Sequence, residues 1–146
     1  NLSKRLKMAK RVFVDTGFFI NLILRGEKNH RESRAIWPRE IKAGTKIFSS
    51  NYILDETLTR LIYDQSFSSA KKFKDITEAA VQQGQLAIIW IDEPLTQKAW
   101  AFFEKYKEHK LSFTDASTAA IVTQFKMDEI LTFDSDFKKI DLKTQP

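Results

Sequence analysis

The chain contains no cysteine, which excludes disulfide frameworks and thiolate metal sites, and only two histidines, His30 and His109, remain as nitrogen ligands. Any bound metal must be held mainly by oxygen. Both histidines fall in charged segments and are read as solvated surface residues. Glycine (4) and proline (3) are scarce, which argues against a disordered chain or a turn-rich all-β sandwich and predicts a helix-rich fold. The longest uninterrupted apolar stretch, residues 86–91, falls far short of the roughly 20 residues that span a bilayer. The basic start NLSKRLKMAKR lacks the apolar core of a secretory signal. A soluble, cytoplasmic protein with no membrane partner is expected.

What is present suits one domain: 146 residues with 42% hydrophobic content can fill a single core. The net charge of +5 is concentrated at one end, where Lys4, Arg5, Lys7, Lys10 and Arg11 precede any acid. The remaining basic residues equal the 19 acids in number. A basic extension over 1–10 is therefore expected ahead of a domain over 11–146, and bulk charge adds little to a case for nucleic acid.

Apolar runs rich in β-branched and aromatic residues predict strands over 11–15, 46–49, 86–91 and 129–133. Between them, helical periodicity predicts helices over 18–24, 29–43, 51–63, 68–83, 94–106 and 114–126, with a short helical turn over 135–139. Gly44 and Gly84 act as stops, and Ser50 or Asn51 as an N-cap. Strands separated by helices give an α/β protein with a parallel sheet covered on both faces. In such sheets, sites lie beyond the carboxyl ends of the strands.

Four acids fall there. Asp15 ends the first strand, Asp134 follows the fourth, and Glu56 and Asp115 lie in the first turns of helices. A single acid in a first helical turn is often only a cap or a partner of the helix dipole. Four at one edge of a sheet repel one another and raise each other's pKa unless a cation compensates them. With cysteine absent, the compensating ion is Mg²⁺ or Mn²⁺ rather than zinc. Such an ion, completed by water and phosphate, suits phosphodiester hydrolysis. Helical periodicity alone does not choose between Asp55 and Glu56.

At these residues the chain resembles the PIN-domain family, most closely its VapC-type toxin branch, from about Arg11 to Phe137. Val12-Phe-Val-Asp-Thr16 is similar to the opening motif, and Ser50-Asn-Tyr-Ile-Leu-Asp-Glu56 to the second block, which selects Glu56. Leu111-Ser-Phe-Thr-Asp-Ala116 and Thr132-Phe-Asp-Ser-Asp-Phe137 resemble the third and fourth. The resemblance implies Asp15 and Asp115 as the firmest metal ligands, completed by Glu56 and Asp134, with Asp136 as a further ligand, a neighbour or a helix cap. It also implies a three-layer fold with a four- to five-stranded parallel sheet, an RNA substrate, a homodimer and a cognate antitoxin. Residues 140–142 are the segment available for a fifth strand. Thr16 and Thr132 are candidate substrate contacts.

Other readings are weaker. Asp15-Thr-Gly17 also spells the aspartic-protease tripeptide, but those enzymes are Gly-rich β proteins. A haloacid-dehalogenase-like phosphatase needs an acid where Gly17 stands. A PIN nuclease of RNA processing is the alternative within the fold, and all four acids argue against a non-catalytic PIN module. Lys28, Arg31, Arg34, Arg39 and Lys42 are candidates to line an RNA path, although helices carry such charges for solubility too. Trp37, Trp90 and Trp100 read as core or dimer contacts rather than base-stacking platforms.

Overall fold

Val12, Phe13 and Val14 are wholly buried in the first strand, β1 (Arg11–Val14), as expected of a strand covered on both faces. In the computed structural model, which describes residues 9–146, β1 is the centre of a five-stranded parallel sheet. The others are β2 (Lys46–Ser50), β3 (Leu86–Ile89), β4 (Glu129–Leu131) and β5 (Thr144–Gln145), in the order β3-β2-β1-β4-β5. Among the described residues six helices flank the sheet: α1 (Thr16–Ile23), α2 (His30–Lys42), α3 (Asn51–Asp64), α4 (Phe67–Gln82), α5 (Glu93–Lys105) and α6 (Phe113–Gln124). The α/β architecture is the one expected. No helix among the described residues is long and apolar enough to cross a membrane.

β1 lies between β2 and β4, so the strand order reverses beside it. The crevice beyond the carboxyl ends of β1 and β4 is therefore the topological switch point where α/β sheets bind ligands. Gly44 and Gly84, both at positive φ, close α2 and α4 as expected. Ser50 is the N-cap of α3, accepting from the Ile53 amide at 3.2 Å. Asn51 instead accepts the Ile91 amide at 2.8 Å, diverting the chain so that β3 ends at Ile89 and not at 91.

Several expectations need correcting. The fifth strand is Thr144–Gln145, not 140–142, because Ser135–Ile140 winds into a 3₁₀ turn that buries Phe137 and Ile140 in the core. Asp141, at φ 63°, then redirects the chain, and only after it does the backbone pair with β4. α1 starts at Thr16, immediately after Asp15, and α6 starts at Phe113 under a Ser112 cap. His30 is half-buried, its Nδ1 2.7 Å from the Asn21 carbonyl, and so is not a free surface residue; His109 is exposed.

Of the expected basic extension, residues 1–8 lie outside the described residues. Lys10 is tied to the domain through ion pairs with Glu40, at 3.1 Å, and with Glu129. Among the candidate cations, Arg39 is committed to Gln145, donating to its Oε1 at 2.8 Å. Trp37 packs against Phe19, whereas Trp90 and Trp100 are 70% and 56% exposed, so neither belongs to the core.

Candidate active site

Asp15 leaves β1 at the switch point and is buried. Its amide extends the β1–β4 ladder to the Leu131 carbonyl at 3.0 Å, and its Oδ2 accepts from the Thr132 hydroxyl at 2.8 Å. Burial pushes its carboxyl up to about 7, reinforced by the charges of Asp115 and Glu56 and opposed by hydrogen bonds from Thr132 and the Thr16 amide. Thr132 also accepts the Asp134 amide at 3.0 Å, so one hydroxyl links the first acid to the fourth.

Asp115 is held by a capping box at the start of α6. Its amide donates to Ser112 Oγ at 3.0 Å, and its Oδ2 accepts the Ser112 amide at 3.3 Å. Burial again leads in pushing it up, to about 6, with the charges of Asp134 and Glu56 adding to the effect. Glu56 is half-buried on α3 while Asp55 is exposed, an orientation that favours Glu56 as the inward acid. The charges of Asp115 and Glu56 act on Asp15, and those of Asp134 and Glu56 act on Asp115, which links the four acids electrostatically.

Asp134 is exposed and caps the 3₁₀ turn, its Oδ1 accepting the Asp136 amide at 2.8 Å. One carboxylate oxygen each from Asp115, Asp134 and Asp136 lies within 4.8 Å of the others, close enough to share a cation. Asp136 is also paired with Lys139 at 3.0 Å, which neutralises part of its charge. The donor set is entirely oxygen, and two of its carboxyls resist ionisation without a counter-charge. That chemistry fits a hard divalent cation.

The structure brings oxygens of Asp115, Asp134 and Asp136 within reach of one ion, whereas Asp15 joins this group through Thr132 and through the charge of Asp115, and Glu56 only through its charge on Asp15 and Asp115. Thr16 is buried with its hydroxyl unpartnered, and Thr132 has its hydroxyl committed inside the site. Two participants were missed by sequence reasoning. Ser112 was legible in the Ser-x-x-Asp spacing of a capping box, whereas the Lys139–Asp136 pair depends on the 3₁₀ turn, which brings residues three apart together.

Comparison with known proteins identifies the family of this fold. The PIN domain family profile matches residues 12–143. A protein of Archaeoglobus fulgidus named VapC ribonuclease is 32% identical over 126 residues, covering 85% of this chain and 77% of its own. VapC20 of Mycobacterium tuberculosis, named a 23S rRNA-specific endonuclease, is 25% identical over 127 residues, covering 86% of this chain and 91% of its own. The crystal structure of VapC20, described as a sarcin–ricin loop cleaving toxin, matches with a TM-score of 0.78 at 23% identity, over 90% of this chain and 95% of that one. VapBC2 from Rickettsia felis, solved bound to a promoter DNA fragment, matches with a TM-score of 0.66 at 14% identity, over 92% of this chain and 97% of that one. On fold, acidic site and sequence together, the chain belongs to the PIN domain family, in its VapC branch.

Proposed function

We propose that this protein is a divalent-metal-dependent endoribonuclease and the toxin of a toxin–antitoxin pair. The observation that carries the reading is the group Asp115, Asp134 and Asp136, one oxygen of each within 4.8 Å of the others, beside the buried Asp15, with Asp15 and Asp115 pushed up to about 7 and about 6. Carboxyls so raised are costly as anions unless a cation shares their site. Asp15 and Asp115 are the inner ligands in this reading, Glu56 and Asp134 complete the set, and Asp136 flanks it. Mg²⁺ or Mn²⁺ is the ion whose preferences match.

When bound, such an ion supplies charge neutralisation and Lewis-acid activation for phosphodiester hydrolysis. The chain's own contribution is placement. Thr132 fixes the orientation of Asp15, and Ser112 fixes Asp115. Burial of Asp15 limits water around the inner ligands, which strengthens every charge interaction there. The acids act as ligands and not as proton shuttles.

The VapC relatives support RNA as substrate, ribosomal RNA being the first choice on the name of VapC20. The resemblance to a VapBC structure supports an antitoxin partner, and a cytoplasmic location is part of the same proposal. The exposed Trp90 and Trp100 are available to a homodimer contact.

The test is incubation of the purified protein with ribosomal RNA and Mg²⁺ or Mn²⁺. Discrete cuts by the parent, lost with chelator and in Asp15→Asn and Asp115→Asn, are the expected result. Equal cleavage by the two variants would sink the mechanism. Cleavage of other RNAs with ribosomal RNA left intact would favour a processing nuclease.

A further inference from the structure

A site built of carboxyls holds a metal but repels a polyanion, so affinity for RNA has to come from cations outside it. Such cations surround a cavity of about 300 Å³ between α1, α2 and α4. Leu22, Ile23, Trp37 and Ile76 give it apolar walls. Arg25, Arg34 and Lys72 line it while remaining exposed, together with the half-buried His30. No carboxylate lines it.

Helix surfaces carry lysine and arginine for solubility, but such charges are commonly matched by acids one turn away. α4 shows the contrast within one helix. Lys71 is paired with Asp75 at 2.8 Å and Lys74 with Glu78 at 2.7 Å, whereas Lys72, which lines the cavity, has no carboxylate partner among the described residues. The same holds of Arg25 and Arg34, while Arg39, further along α2, is bonded to Gln145. Cations left unmatched around one cavity repel one another, and an anion between them relieves that repulsion.

The cavity lies toward the reacting edge of the sheet. α2 and α4 deliver the chain to the starts of the parallel strands β2 and β3, so each runs from the carboxyl edge toward the amino edge. Arg34 and Lys72 stand in their leading halves. α1 leaves the carboxyl edge directly after Asp15, and its eight residues advance about 12 Å, a short step for a strand of RNA. The corner between α1 and α2 is fixed. Asn21 donates to the Gly17 carbonyl at 2.7 Å and accepts the Asn29 amide at 3.0 Å, and its own carbonyl lies 2.7 Å from His30 Nδ1. Trp37 packs against Phe19. Walls so supported hold a ligand in one position.

We propose that this cavity is a phosphate-binding subsite for the RNA strand, in which Arg25, Arg34 and Lys72 hold backbone phosphates beside the segment being cut and Trp37 offers apolar surface to a sugar or base. The proposal rests on the ribonuclease reading and deepens it by naming what retains the substrate. Exposed cations on three separate segments of the chain match a polyanion crossing them better than a free nucleotide enclosed by them. The position toward the reacting edge favours the strand being cut over an acidic protein segment.

The test measures affinity for a fluorescent single-stranded RNA of mixed sequence across a salt series, in an Asp115→Asn background that prevents cleavage. Arg25→Gln, Arg34→Gln and Lys72→Gln should each weaken binding about threefold to tenfold and lower the slope of log affinity against log salt by about 0.7, the effect of one phosphate contact on a single strand. Arg34→Lys keeps the charge and should keep the slope. Lys74→Gln removes a charge from the same helix, but a paired one, and should change the slope little. Introduced into the active protein, the triple Gln variant should raise KM and leave kcat nearly unchanged, the mark of uniform binding. A slope unaltered in the triple variant, or lowered as much by Lys74→Gln as by Lys72→Gln, overturns the subsite. So does loss of binding to a fluorescent polyglutamate peptide in the triple variant with the RNA slope unchanged, which would assign the cavity to an acidic protein. RNA cleavage by the parent, measured independently, separates failure of the subsite from failure of the nuclease reading.

Discussion

Thr132 spends its one hydroxyl twice, donating to Asp15 and accepting from the Asp134 amide, and so sets the distance between the first and fourth acids. Thr132→Val keeps the shape and removes both bonds. Because the bond from Thr132 lowers the Asp15 pKa, its loss should shift the alkaline-rising limb of the pH–activity profile to higher pH. It should also lower kcat by about tenfold to a hundredfold, with KM nearly unchanged. Asp15→Asn has a different signature. Relieving a buried, repelled carboxyl should raise the metal-free stability by about 1 kcal/mol while abolishing activity and any stabilisation by Mn²⁺, both readable by thermal melts. Asp15 and Asp134 were legible in the sequence because strand ends can be found from apolar runs. Helical periodicity did not separate Glu56 from Asp55, since α3 packs unevenly; the resemblance of residues 50–56 to the family's second block chose Glu56, and α3 leaves Asp55 exposed. Thr132 was taken for a substrate contact because nothing local reveals that its partner lies 117 residues away.

β5 is two residues long, too short for its ladder alone to hold it, and its anchor is a side-chain knot. Gln145 donates to Glu129 and Glu40 and accepts from Arg39, while Lys10 bridges the same two carboxylates. Gln145→Ala should destabilise the protein by about 1–2 kcal/mol, a fall in Tm of several degrees in a chain this size, measurable by calorimetry. The strand escaped sequence reading for the same reason. Its partners are 105 and 16 residues away, and the apolar pair Phe137 and Ile140 drew attention to a segment that is really a core-packed turn. The long elements were legible because their periodicity is local. Asp115 shows the favourable case: Ser112 three residues before it both starts α6 and orients the acid, so one short motif carries helix boundary and site together.

For the whole molecule, pH acts in two opposite directions. The folded-state pKa values of Asp15 and Asp115 exceed the ordinary 3.8, so the folded protein binds protons that the unfolded chain has released. Their stabilising contribution is complete below about pH 4 and is lost as pH rises through about 6 and about 7. Glu40 works the other way. Burial opposes its ionisation, but hydrogen bonds from Thr45, Lys10 and Gln145 outweigh it and hold its pKa below the usual 4.5, so its contribution is lost on acidification. Metal-free protein should therefore lose Tm between about pH 4 and about pH 7. Excess Mn²⁺ should raise Tm more at about pH 8 than at about pH 5, because proton and metal compete for the same carboxylates. A metal response independent of pH would contradict the assignment of Asp15 and Asp115 as ligands.

Pro146 lines a cavity of about 140 Å³ beside Asp134, and Gln145 pins the backbone that leads to it. Polypeptide that continues the chain past Pro146, whatever its origin, leaves from the rim of the acidic site. It behaves as a tethered competitor whose effective concentration is set by its length, and a short linker makes that concentration high. A basic tag would be drawn to the acids and an acidic one repelled, so activities measured on differently tagged forms of this protein should diverge with the charge of the tag and converge as salt is added.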